Sequence, residues 1–274
     1  MQPDHVEFAA AQYLLVGGFT ATPAAEPTGR QLDSGLTLYA ARGGRWQRCD
    51  SLDLANPTWV VWSRRHRHYY VSHSATRELS AVHIRLPQDR TATGICGPHD
   101  RALTHVDRVD IGAVNPVHIA IDTAERHVLA ACFGAGEVVA AGLADDGRFT
   151  GVSDRWRAYE NTVGATAADS EPHQVVWWPE HGCYVVPDRA LHAVHLVRFD
   201  SRAGKFGGCR TFPMRPGSGP RHVVVGRGRD LLYLGNELDS TVSVLRWTGR
   251  VLTEAFCISS LPAEWAGKSV IGAV

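Results

Sequence analysis

The side chains able to do chemistry in this chain sit at repeated positions. Four prolines, Pro57, Pro116, Pro172 and Pro220, each open a short apolar run. Polar groups follow three of them closely: His118 in NPVHIAI, His173 in EPHQVVW, and Arg221 with His222 in GPRHVVV. A second apolar run comes about a dozen residues later, and two of these end on further functional groups, Asp188 in CYVVPD and Asn236 with Glu237 in LLYLGNE. Imidazole and carboxylate groups accept and return protons, and a guanidinium holds an anion or a developing negative charge. No spacing of His, Cys, Asp or Glu argues for a metal, and six scattered cysteines without CxxC read as reduced, mostly buried small residues. The expected cofactor complement is none.

Each of these groups also has a structural reading. His118 and His222 recur at equivalent places after a strand-opening proline, as residues that tie a repeat together would. Glu237, followed by Asp239 and Ser240, fits a polar turn between strands. Trp59, Trp62, Trp177 and Trp178 read as packing between repeats rather than as a sugar platform.

The elements that must position these residues are strands. The proline-led runs are β-branched or aromatic and carry no helical periodicity, as in His222 to Val225 and Leu231 to Leu234. Third strands follow at Ala81 to Ile84, Val138 to Ala141, Val194 to Val197 and Val242 to Leu245. Glycine-bearing turns at Gly147, Gly204 and Gly249 then lead into fourth strands. Four antiparallel strands recurring every 50 or 60 residues predict an all-β fold, a β-propeller of four-stranded blades. One blade is expected over about residues 11–55, with four more opening near 57, 116, 172 and 220, in a single domain over 1–274. Stretches 86–104 and 151–170 read as surface excursions from the blade rims.

Bulk composition bounds the partners. Lys plus Arg is 28 and Asp plus Glu is 28, a balance that gives no support to nucleic acid or an anionic membrane as partner. The cluster Arg64, Arg65, His66, Arg67 and His68 reads as a solvated hairpin tip. No apolar run approaches the ~18 residues of a membrane span, and MQPDHVEFAAAQYLLVGGF lacks a basic segment followed by a long apolar core, so a cytoplasmic location is expected.

Several stretches carry a family resemblance. GSGPRHVVV from Gly217, YLGNELDSTVSV from Tyr233 and ISSLPAEW from Ile258 are similar to the bacterial 6-phosphogluconolactonase of the seven-bladed propeller type, a family related to carboxymuconate-lactonising enzymes. NPVHIAI with FGAGEV, PHQVVW with VVPD, and LLVGGFT support it, so that the resemblance runs from about residue 12 to 266. It implies a lactone site in the central groove, with His173, Arg221 and Glu237 as catalytic residues and His118, Asp188, His222 and Asn236 as substrate contacts. His173 or Glu237 would be the general base, and Arg221 would stabilise the oxyanion or hold an anionic group. The implied substrate is an anionic sugar lactone, 6-phosphogluconolactone in the pentose phosphate pathway. Cyclisation of a carboxymuconate-type substrate is the alternative chemistry, and a non-catalytic binding propeller the alternative class.

The chain departs from the family pattern in places. Cys132 stands where an Asn is expected, Gln174 replaces a second His after His173, and Ser72-His73-Ser74 replaces an Asn-Glu type ending. Against seven blades the repeats stop at about five, so the ring is expected to be C-terminally incomplete. An open ring leaves two sheet faces uncovered, and a second copy completing it would make a homo-oligomer.

Overall fold

The computed structural model describes residues 13–20, 35–42, 44–85, 101–161, 163–227, 230–265, 267 and 269–272. Five antiparallel sheets follow one another along the chain, each paired strictly in sequence order. Blade 1 holds β1 (Tyr13–Gly17), β2 (Leu36–Arg42) and β3 (Arg45–Leu52). Blade 2 holds β4 (Pro57–Ser63), β5 (His68–His73), β6 (Glu78–Ile84) and β7 (Leu103–Asp110). Blade 3 holds β8 (Pro116–Ile121), β9 (His127–Cys132), β10 (Glu137–Leu143) and β11 (Phe149–Arg157). Blade 4 holds β12 (Val176–Trp178), β13 (Cys183–Asp188), β14 (Ala193–Asp200) and β15 (Lys205–Pro213). Blade 5 holds β16 (Pro220–Val225), β17 (Leu231–Asn236), β18 (Thr241–Trp247) and β19 (Leu252–Ser259).

The blades stand as the repeats predict, with three differences. Blade 1 has three strands among the described residues. Residues 151–157 are not an excursion but the outer part of β11, paired with β10; most of the other expected excursion, 86–100, lies outside the described residues. Of the cysteines, Cys132 and Cys183 are buried and unpaired, whereas Cys49, Cys209 and Cys257 are only half-buried.

Strand periodicity builds the core. Successive side chains leave opposite faces of a sheet, so Val128 and Ala130 of β9 join a cluster with Tyr70, Leu79 and Ala81 of blade 2. Their neighbours Leu129 and Ala131 join Tyr184, Val186 and Val197 of blade 4. Leu36 and Leu38 meet Val71, Val82 and Leu103 between blades 1 and 2, and Trp178, Val194 and Phe212 meet Val223, Leu232 and Leu245 between blades 4 and 5. The core is thus four layers, one per seam between consecutive blades. On the far face of blade 5, Val224, Tyr233, Val244 and Phe256 line up across the strands. Three of them are uncovered, at 45%, 40% and 57% exposure.

Candidate active site

The proline signal has a structural cause. The residue before the proline takes a left-handed conformation at Asn56 (φ 41°), Asn115 (φ 59°) and Gly219 (φ 63°), which glycine adopts freely and asparagine more readily than most. Its carbonyl then accepts the amide of the residue one past the second strand: Ser74 at 2.9 Å, Phe133 at 3.0 Å and Glu237 at 2.7 Å. In blade 4 the same bond joins Arg189 N–H to the Glu171 carbonyl at 3.0 Å. Just after the proline the ladder bulges by one residue, between Pro57 and Trp59, Pro116 and His118, and Pro220 and His222. A bulge re-aims the extra side chain. The bulged residues Thr58, Val117 and Arg221 therefore reach the axis of the arc, and His173 does so from the equivalent place in blade 4.

These two tiers line one cavity of about 540 Å³. From the bulges come Thr58, Val117 and Arg221, with His173 from the equivalent place in blade 4; just past the second strands come Ser74, Phe133, Arg189 and Glu237. His222 and Trp59 also line it, together with Phe19, Ala75 and Asn115. His173, Arg221 and Glu237, expected from the sequence to act together, converge at the seam of blades 4 and 5.

Glu237 is held from two sides. Nη1 of Arg221 donates to one carboxylate oxygen and Nη1 of Arg189 to the other at 3.1 Å. Arg189 also donates through Nε to Glu171 at 2.7 Å, and its guanidinium lies 4.9 Å from the Phe133 ring centre. Nε of Arg221 and Nδ1 of His173 are buried without partners among the described residues. Buried polar atoms of this kind are uncommon in a finished fold, and both belong to residues that line the cavity. Burial lowers the His173 pKa to about 3, with the Arg221 charge reinforcing the shift. Burial and Arg221 together lower that of His222 to about 4. Both imidazoles are therefore neutral, and the same surroundings make them weak bases that take a proton only from a strongly acidic donor.

The remaining expected contacts lie elsewhere. His118 lines a second cavity with Trp62, Val175 and Trp177, on the other side of Trp59. Its ring sits 4.3 Å from the Trp59 indole, and Nδ1 accepts the Val175 amide at 3.4 Å, tying blade 3 to blade 4. Gln174 does the same one seam later, accepting the Val223 amide at 2.6 Å. Asp188 is fully buried as the centre of a turn, accepting from Ser170 Oγ at 2.6 Å and from the amides of Glu171 and Leu191. Asn236 spends its amide nitrogen on Thr241 and Ser243. His118, Asp188 and Asn236, expected as substrate contacts, do not line this cavity and serve in this structure as ties within and between blades. Trp59, expected as packing, is a cavity residue. Arg189 carried no motif of its own; the signal that finds it is register, since Arg189 and Glu237 each follow the last residue of their second strand.

Residues 15–274 match the family model described as Lactonase, 7-bladed beta-propeller. No curated protein sequence matches the chain. In shape it is similar to a candidate 6-phosphogluconolactonase of Bacteroides fragilis, with a TM-score of 0.73 and 17% identity, over 95% of this chain and 70% of that one. The periplasmic gluconolactonase of Pseudomonas aeruginosa gives 0.73 and 19%, over 95% and 71%. A Lactobacillus plantarum protein gives 0.73 and 20%, over 93% and 69%. These likenesses bear on the fold, and the family match supports lactone hydrolysis as the general chemistry. The chain belongs to the seven-bladed β-propeller lactonase family.

Proposed function

We propose that the cavity at the seam of blades 4 and 5 hydrolyses a sugar lactone, with 6-phosphogluconolactone as its substrate. The observation that carries this reading is the convergence of a neutral His173, two guanidiniums and the Glu237 carboxylate on one cavity of about 540 Å³. In this scheme the neutral His173 orients the attacking water and takes its proton late, once bonding to the lactone carbonyl carbon has made that oxygen strongly acidic. Arg221 donates to the carbonyl oxygen as it becomes an oxyanion. Collapse of the intermediate breaks the ring C–O bond, and the ring oxygen takes up the proton, leaving the open hydroxy acid. Glu237 orients Arg221 rather than acting as the base, because both its oxygens already accept from guanidiniums. That same engagement favours the second reading, a propeller that binds a lactone or its acid without turning it over.

The test is hydrolysis of 6-phosphogluconolactone and of unphosphorylated gluconolactone, followed by acid release at constant pH. The folded protein is expected to exceed the spontaneous rate, and Arg221→Ala and Glu237→Ala to lower kcat/KM by about 100-fold. A folded protein no faster than the spontaneous reaction sinks the catalytic reading.

A further inference from the structure

Arg189 is the second guanidinium of the cavity, and its two carboxylate partners are unequal. Glu237 is almost buried and is gripped by Arg221 as well. Glu171 is 24% exposed, and its side chain is held by Arg189 alone among the described residues. The Nε and Nη2 edge of a guanidinium is a fork that matches two oxygens of one anion. Glu171 fills half of that fork, through Nε at 2.7 Å. Nη2 has no acceptor among the described residues. Of the two carboxylates Glu171 is the more exposed, so it is the one that a better-fitting anion can displace to solvent.

We infer that Arg189 is a specificity-determining residue that binds the phosphate of a phosphorylated ligand, and that Glu171 occupies the fork until the ligand arrives. With Glu171 turned to solvent, the seam carries Arg189 and Arg221 against Glu237, an excess of one positive charge to meet the phosphate. Phe133, packed against the Arg189 guanidinium, keeps the fork from folding away. The inference takes its ligand from the lactonase reading but is tested apart from turnover.

The experiment is calorimetric binding of 6-phosphogluconate and of gluconate to the wild-type chain, Arg189→Leu, Arg189→Lys and Glu171→Gln. The wild type is expected to prefer 6-phosphogluconate. Arg189→Leu weakens 6-phosphogluconate about tenfold more than it weakens gluconate, and Arg189→Lys falls between. Glu171→Gln moves in the opposite direction, tightening 6-phosphogluconate, because the competing carboxylate is gone. Equal binding of the two ligands by the wild type overturns the inference, as does a Glu171→Gln variant that binds 6-phosphogluconate no better. Should Arg189→Leu fail to fold, Arg189→Lys and Glu171→Gln decide the question. A wild type that shows this binding pattern yet hydrolyses neither lactone overturns the catalytic reading and supports the inference. A wild type that hydrolyses both lactones, with Arg189→Leu equally active on both, does the reverse.

Discussion

Nη1 of Arg189, carried by blade 4, donates to Oε1 of Glu237 on blade 5 across 3.1 Å. The carboxylate at the heart of the cavity is therefore pinned across a seam as well as within its own blade. Both side chains are largely buried, at 23% and 11% exposure, so the pair outweighs an ordinary surface bridge. A double-mutant cycle with Arg189→Leu and Glu237→Gln is expected to give a coupling of about 1–2 kcal/mol in unfolding free energy. Simple additivity of the two single variants would show that the bond across the seam contributes nothing.

Acid should loosen the fold through His173. Burial, with help from Arg221 and His222, lowers its pKa to about 3, against 6.5 in the unfolded chain. Between those values the unfolded chain binds a proton that the folded one refuses, so stability falls as pH drops. His173 alone is expected to cost about 2–3 kcal/mol between pH 6.5 and 4, with His222 acting in the same sense. Urea unfolding across this range measures the slope, and His173→Phe should flatten it. An unchanged slope in that variant would assign the acid sensitivity to other groups.

Asp188 is a structural anchor. Removing its carboxylate strands the amides of Glu171 and Leu191 and leaves the Ser170 hydroxyl with the Gly136 carbonyl alone. Asp188→Ala is expected to lower stability by about 3 kcal/mol. A loss of ligand binding without any loss of stability would return Asp188 to the list of substrate contacts.

Gly219 combines a left-handed φ of 63° with a tight fit, since a Cβ there would lie 2.5 Å from Leu238 Cγ. Gly219→Ala should cost about 2 kcal/mol. It should also displace the residues on either side of its bond to the Glu237 amide, so that lactone affinity falls together with the unfolding midpoint. Full affinity in a variant destabilised to that extent would disconnect this turn from the site.

The legible part of the sequence was the part that repeats. Pro57, Pro116, Pro172 and Pro220 each report a turn into an inner strand, and the equivalence of His173 with Arg221 follows by counting from them. At the second tier the sequence places Asp188 near the position of Glu237 one blade earlier, without fixing the register to the residue. Pairing sets Asp188 opposite Ala193 and Asn236 opposite Thr241. The true counterpart of Glu237 is thus Arg189, and a shift of one residue along a strand end exchanges a buried anchor for a cavity side chain. His118 and His222 occupy equivalent positions, yet one lines the candidate site and the other the cavity beyond Trp59. Their different surroundings arise from blades that no local stretch of sequence contains.

Because each core layer belongs to a seam, no blade owns the apolar contacts that hold it. Blade 4 is gripped on both faces, whereas blade 5 packs through one and leaves Val224, Tyr233 and Phe256 bare on the other. The amides of blade 5 should therefore exchange with solvent sooner than those of blades 3 and 4, through partial opening well short of global unfolding. His173 and Arg189 would then part from Arg221 and Glu237 while every strand remained intact. The affinity of a ligand held among these four residues would gauge how firmly one blade is shut against the next.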